Sequence, residues 1–405
     1  MTSTHASHFS HISPYGGDPI LDLMVAFQAD TRPNKVSVSI GVYFDESGLL
    51  PMLDSVRRAE TALLQELGPR PYLPIDGLPG YRQAVQHLLF GAGHEALASG
   101  RVATLQTPGG SGALKVGADF LHQYFPQAGI WVSDPTWDNH HAIFEGAGLK
   151  VSTYPYYNAA TGGLRFDEML ATFNALPSRS LVLLHASCHN PTGVDLSKAQ
   201  WQALIPVLLA RGLIPFVDIA YQGFGDGLDE DAFALRAMAD AGVQFFVANS
   251  FSKNFSLYGE RCGALSAVCT DSQAADTVLS QLKATVRRNY STPPTHGARV
   301  VARVLQTPDL LARWTQETTQ MRERIRAMRV GLHAALNQQF QGRRNFDYLL
   351  SQRGMFSYTG LSAEQVDRLR AEHAVYLVRS GRMCVSGLTT GNIDHVAQAM
   401  AAVLG

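Results

Sequence analysis

Ser250-Phe-Ser252-Lys253, with Arg261 eight residues beyond the lysine, is the stretch of this chain best equipped for chemistry. A lysine set among small hydroxyl residues, with a fixed-charge guanidinium close behind, suits a site that holds an aldehyde and a phosphate together. The lysine would form a Schiff base with the aldehyde. Ser250, Ser252 and the Arg261 fork would bind the phosphate through charge-assisted hydrogen bonds. Pyridoxal phosphate carries both groups. Taken alone, the stretch equally describes an exposed lysine in a polar turn after a strand, so other segments must decide.

Upstream, Asp218 ends an apolar strand and Tyr221 follows three residues on. A buried carboxylate at that point would keep a pyridine nitrogen protonated, so that the ring can act as an electron sink. Tyr221 could hydrogen-bond the ring's phenolate oxygen, and Asn190, in His189-Asn190-Pro191-Thr192-Gly193, could donate to the same atom. Pro191 is a candidate for a cis bond. Gly109-Gly110-Ser111-Gly112 precedes the apolar stretch Ala113 to Phe120, a layout that leaves free NH groups at a helix start, where a phosphate can sit. Each motif has a plain alternative: a helix cap for Asp218, a turn for Asn-Pro-x-Gly, a structural glycine loop. Their succession at the ends of apolar strands, the face where open α/β sheets bind ligands, is hard to attribute to chance.

At this point the chain resembles the class I aminotransferases of pyridoxal-phosphate fold type I, in the aspartate and aromatic amino-acid branch. The likeness is carried by Gln106 to Leu114, Cys188 to Gly193, Phe216 to Phe224, Ser250 to Phe255, Tyr258 to Arg261, Arg288 to Pro294, Gly354 to Ser357 and Ser380 to Arg382. It implies a large domain with a mostly parallel seven-stranded sheet and a smaller α+β domain. It also implies Lys253, Asp218 and Tyr221 as catalytic residues, and Gly110, Ser111, Trp137, Asn190, Ser250, Ser252 and Arg261 around the cofactor. Gly41, Trp137, Asn190, Arg287, Phe356 and Arg382 would face substrate, Arg382 matching the family's carboxylate-binding arginine. His140 matches a histidine bonded toward the Asp218 position, a network that His185 and His189 could extend. The resemblance further implies a homodimer in which Tyr72 reaches the partner's cofactor phosphate and Arg287 the partner's substrate. Phe44, Leu50 and Pro71 stand where strict aspartate enzymes are polar, with Ser111 and Thr292 at variable positions nearby. Apolar lining stabilises a buried aromatic ring by about 25 cal/mol per Å² removed from water. The expectation is therefore ping-pong transamination of aromatic L-amino acids with 2-oxoglutarate, with aspartate also accepted. Aspartate aminotransferase proper, a β-lyase, a kynurenine-type aminotransferase and a non-catalytic sensor are the rivals. The sensor is disfavoured because no basic recognition-helix pattern precedes the glycine loop.

The elements that must position these groups are legible as alternation. Short apolar strands at Ile130 to Ser133, Val151 to Tyr154, Leu181 to Leu184, Leu213 to Val217, Phe245 to Ala248 and Ala264 to Val268 are interleaved with helical stretches such as Gln200 to Leu209 and Ala232 to Ala241. Strands apolar on both faces predict a mostly parallel sheet covered on both sides. Leu310 to Leu336 predicts one or two long helices with Arg and Glu outermost, followed by strands at Met355 to Thr359 and Val375 to Leu377 and a last helix from Ile393 to Leu404. The expected division is residues 1–45 as an arm and part of the small domain, 46–308 as the large domain, and 309–405 as the small domain with an interdomain helix.

With 405 residues, two domains are the prior. A net charge of -1 removes the electrostatic case for nucleic acid or an anionic membrane and leaves small molecules as partners, which the resemblance implies are amino and 2-oxo acids. The four cysteines have neither metal spacing nor the density of a secreted scaffold, and no apolar run of spanning length occurs, so a reducing cytoplasm and no metal are expected. His5, His8 and His11 read as a disordered or partner-draped arm in preference to a metal tract.

Overall fold

The computed structural model describes residues 8–66 and 68–405; His5 lies outside that range, and His8 and His11 are exposed. Seven strands form the central sheet: β1 (Val102–Pro108), β2 (Ile130–Asp134), β3 (Val151–Pro155), β4 (Leu181–His185), β5 (Ile214–Ile219), β6 (Phe245–Ser250) and β7 (Cys262–Val268). Their order is β1-β7-β6-β5-β4-β2-β3. Only β7 runs antiparallel to its neighbours β1 and β6; the remaining pairs are parallel. All six strands expected from the sequence are present, and β1 is an addition. Its run Val-Ala-Thr-Leu-Gln-Thr-Pro carries buried polar side chains, which hide it from a search for apolar segments. Those side chains find partners: Thr104 Oγ1 lies 2.8 Å from Ser266 Oγ across the sheet, and Thr107 Oγ1 donates to Gly109 O two residues on.

Alternate residues of each strand feed two separate cores, as period-2 geometry requires. Leu183 and Phe216 point into one and Leu184 and Val217 into the other. The helix Gly109–Tyr124 covers the first face, burying Ala113, Leu114, Val116, Gly117, Phe120 and Leu121. Gly117 permits the close approach, since a Cβ there would lie 2.5 Å from Phe216 Cζ.

The C-terminal section is organised by one continuous helix, Pro308–Phe340, whose 33 residues span about 50 Å at 1.5 Å each. Trp314, Thr318, Met321, Ile325, Met328, Leu332 and Leu336 are buried along it at three- and four-residue spacing. The expectation that its charged residues all face outward fails at Glu317 and Arg329, which are 8% and 3% exposed. Glu317 accepts from Asp54 N and Ser55 Oγ at 2.7 and 2.6 Å, so a carboxylate on this helix caps the helix Asp54–Gln65. Phe356–Tyr358 pairs antiparallel with Arg382–Cys384, and Val36–Ser37 pairs parallel with Val375–Tyr376, drawing the N-terminal residues to this section. Ile393–Leu404 packs against the long helix. No helix among the described residues is long and apolar enough to cross a membrane.

Candidate active site

Because β1, β2, β4, β5 and β6 are parallel, their C-terminal ends deliver Gly110, Trp137, Asn190, Asp218 and Ser250 to one edge of the sheet. Antiparallel β7 begins at that same edge, which puts Arg261, just before it, beside the others. In register, His185 is the direct partner of Asp218, and Ser250 that of Gly263. The edge opens into a cavity of about 240 Å³ lined by Gly110, Ser111, Trp137, Asn190, Asp218, Tyr221, Ser250, Ser252, Lys253 and Arg261, together with Leu114, His185 and Ala220. Ten residues expected at the site from the sequence are thus gathered around one space.

One end of the cavity is an anion cradle. Arg261 Nη1 lies 3.5 Å from Ser252 Oγ, and Ser250 Oγ donates to Ser252 Oγ at 3.2 Å. Gly109, at φ +73°, turns the chain into its helix hard against Arg261, leaving a would-be Cβ 2.6 Å from Nη2. The helix start therefore presents its free NH groups where the guanidinium and the two hydroxyls converge.

The other end is built around Asp218. His140 Nε2 lies 3.1 Å from Asp218 Oδ2, and His140 Nδ1 lies 2.8 Å from Thr136 Oγ1. Burial by itself would raise the Asp218 carboxyl, but the His140 hydrogen bond and nearby positive groups outweigh it and hold it below its ordinary value. Asp218 is therefore a carboxylate facing the cavity. Burial, with a further push from His140, drives His185 down to about 3, so that ring is neutral. Sequence reasoning missed Thr136; its i to i+4 spacing from His140 was the available signal.

Between the two ends sits Lys253, its Nζ 5.1 Å from the centre of the Tyr221 ring. Burial, and behind it Arg261 and Arg382, lower its pKa to about 8 against the opposing pull of Asp218. Burial pushes the Tyr221 phenol up, so it remains a donor, and Asn190 Nδ2 approaches its oxygen at 3.4 Å. Asn190–Pro191 is cis, as the sequence suggested, and Asp134–Pro135 is a second cis bond it did not.

Arg382, 5% exposed, lies behind Asn190. Its Nη1 donates to Asn190 Oδ1 at 3.4 Å and its Nη2 to Ser39 O at 2.9 Å, while Nε is buried without a partner. Phe356 stacks beneath it, 4.6 Å from Cζ to ring centre, and Gly41 abuts the Phe356 ring. Tyr72 and Arg287 are not at this cavity: Tyr72 is 91% exposed and Arg287 is bonded to Ser291 on the surface. Of the positions expected to tune specificity, Ser111 lines the cavity, Phe44 and Thr292 are half-buried elsewhere, and Leu50 and Pro71 are exposed.

The residues fit a phosphorylated pyridine aldehyde end to end. An anion cradle, a depressed-pKa amine and a carboxylate follow one another around a space of matching size. The ligand atoms of His140, His185 and Asp218 also lie within 4.8 Å of one another, a grouping a metal could use. The anion cradle at the opposite end favours the organic group.

The family profile for aminotransferase class I and II matches residues 33–400. The chain belongs to that family. It is 60% identical to the aromatic-amino-acid aminotransferase of Escherichia coli over 397 residues, covering 98% of this chain and 100% of the relative. The aspartate aminotransferase of Pseudomonas aeruginosa is 51% identical over 398 residues, with 98% and 100% covered. The crystal structure of the aromatic-amino-acid aminotransferase from Burkholderia pseudomallei, covalently bound to pyridoxal phosphate, superposes with a TM-score of 0.97 at 53% identity, covering 99% of this chain and 100% of that one.

Proposed function

We propose that this aminotransferase moves the amino group of aromatic L-amino acids to 2-oxoglutarate with pyridoxal phosphate as cofactor, and accepts aspartate as a second donor. The observation that carries this reading is the placement of Lys253 between the anion cradle and Asp218, with Arg382 behind Asn190. Relatives of both aromatic and aspartate type share more than half of their residues with this chain, which supports the dual preference.

When bound, the cofactor's ring supplies an electron sink for the pair left behind as the substrate Cα proton departs. Asp218, ionised and oriented by His140, holds the proton on the ring nitrogen that keeps the sink electron-poor. Ser250, Ser252, Arg261 and the NH groups of the glycine loop anchor the phosphate. Lys253, with its amine depressed to about 8, is the covalent anchor for the aldehyde and, once released, the base that takes the Cα proton at Nζ. Tyr221 and Asn190 are donors to the ring's oxygen. The Arg382 fork receives the substrate carboxylate, which would supply the acceptor that its buried Nε lacks.

The reading includes a homodimer with shared sites. Its support is the exposure of Leu21, Val25, Leu49, Met52, Leu64 and Tyr72 within residues 21–72, an apolar run that a monomer would leave in water. Residues 46–308 form the cofactor-holding domain in this reading, and 309–405 close over it with the N-terminal 45. Four free, buried cysteines agree with a reducing cytoplasm.

Addition of phenylalanine alone to the cofactor-loaded protein tests the proposal. The expected result is conversion of the aldehyde-form spectrum to the amine form with one equivalent of phenylpyruvate per site. Release of pyruvate and ammonia from a β-substituted substrate would indicate a lyase, and an unchanged spectrum a sensor.

A further inference from the structure

Two distant backbone segments, 188–193 and 353–357, are pressed together beside Asn190, which lines the cavity, and Arg382 behind it. Arg353 N donates to Gly193 O at 2.7 Å. A Cβ on Gly354 would lie 2.5 Å from Cys188 Cβ, and one on Gly193 would lie 2.4 Å from Phe356 O. The buried Arg329 of the long helix ties this seam. Its Nη2 donates to Phe356 O, to Gly354 O at 2.8 Å and to Arg353 O at 3.4 Å; its Nη1 donates to Ser357 Oγ and to Leu349 O at 3.5 Å. No carboxylate pairs with it among the described residues. Buried arginines are ordinarily matched by an acid. This one is held by carbonyl dipoles and one hydroxyl, all within residues 349–357.

The consequence lies one layer further in. Phe356, whose carbonyl Arg329 grips, carries the ring that lies beneath Arg382 and 5.7 Å from the Tyr221 ring. On the other side of the seam, Asn190 accepts from the edge of Arg382. Gly41, which abuts the Phe356 ring, is two residues from Ser39, whose carbonyl accepts from Arg382 Nη2. Arg329 therefore holds the segment that carries the face support of Arg382, and that segment is pressed against the one that carries its edge support at Asn190.

We infer that Arg329 is a positioning residue for substrate-carboxylate recognition, acting on Arg382 through Phe356 and leaving cofactor capture untouched. The inference rests on the reading of Arg382 given above. Loosening the seam lets Phe356 shift and the Arg382 fork lose its aim, which weakens binding of any carboxylate presented there. Anchoring of the phosphate at Ser250, Ser252 and Arg261 involves none of these contacts.

The test compares cofactor-loaded wild type, Arg329→Met and Arg329→Lys. It measures kcat and KM for phenylalanine, the Kd of 3-phenylpropionate, which has the carboxylate but no amine to react, and the cofactor content. Arg329→Met is expected to raise both the KM and the Kd about tenfold, the equivalent of about 1.4 kcal/mol. Its kcat should change less than about threefold and its cofactor content should stay stoichiometric. Arg329→Lys, which keeps the charge and loses the fork, should recover part of the affinity. A folded, loaded Arg329→Met with KM and Kd within twofold of wild type overturns the inference, because a purely structural role would lower thermal stability without moving carboxylate affinity. If Arg329→Met does not fold, Ser357→Ala removes one acceptor of the same clamp; a two- to threefold rise in Kd supports the inference and an unchanged Kd overturns it. Wild type that fails to convert phenylalanine would defeat the transaminase reading and this inference together, whereas active wild type with an unaltered variant defeats the inference alone.

Discussion

Asp218→Asn is the substitution whose outcome follows most directly from the site. The carboxylate is 7% exposed, and its Oδ2 is bonded to His140 Nε2 at 3.1 Å. Its ionisation survives burial only through that bond and the positive groups around it. Asparagine keeps the size and one acceptor for His140, so packing and cofactor loading should persist. The lost element is the charge opposite the ring nitrogen. Truncating one member of a buried, hydrogen-bonded charge pair costs about 2–5 kcal/mol, which corresponds to about 30- to 5,000-fold in rate. Single-turnover absorbance after mixing with phenylalanine reads the proton-transfer step free of product release. Borohydride trapping with peptide mapping verifies that the cofactor is still attached at Lys253. A loaded variant that reacts within fivefold of wild type would refute the role assigned to Asp218, and with it the reason for the His140 contact.

Lys253→Ala should still bind cofactor while losing turnover by at least the 10²- to 10⁴-fold, in order-of-magnitude terms, that a positioned general base contributes; steady-state assays with phenylalanine and 2-oxoglutarate decide this. The Lys253 amine, lowered to about 8 by burial, is mostly protonated at neutral pH, and only its neutral form attacks an aldehyde. Loading of the apo-protein should therefore accelerate about tenfold per pH unit up to pH 8 and level off above it, as stopped-flow absorbance would record; a flat profile from pH 6 to 8 contradicts that environment. Trp314→Phe removes the donor that reaches Asn254 O at 2.8 Å from a fully buried ring stacked on Phe255. Denaturant unfolding should show a loss of about 1–3 kcal/mol, and a loss below about 0.5 kcal/mol would deny that contact weight.

The site was largely legible because its motifs are short-range. Ser250 to Lys253 and Asp218 to Tyr221 each fit within a few residues of a strand end, and parallel order then brings strand ends to one edge. The terminal helix Ile393–Leu404 and six of the seven sheet strands were legible for a similar reason, an apolar period bounded by breakers. Strand β1 was not, because it buries polar residues such as Thr104, whose partner Ser266 lies on β7, more than 150 positions later. Arg329 and Glu317 were not either. On a long amphipathic helix an arginine or glutamate reads as solvent-facing, and only their partners at Phe356 and Ser55 explain their burial.

Residue types and their order by themselves determined the chemistry: an amine, an acid, a phenol and an anion cradle spaced for one phosphorylated aldehyde. Tertiary structure decided which charges are buried, which nitrogen lowers its pKa, and which arginine lies beside Asn190 and which one grips residues 349–357. Burial and electrostatic neighbours depend on segments far apart in the chain. Local sequence carries no record of them until the sheet edge, the long helix and the seam at Gly193 and Gly354 have come together.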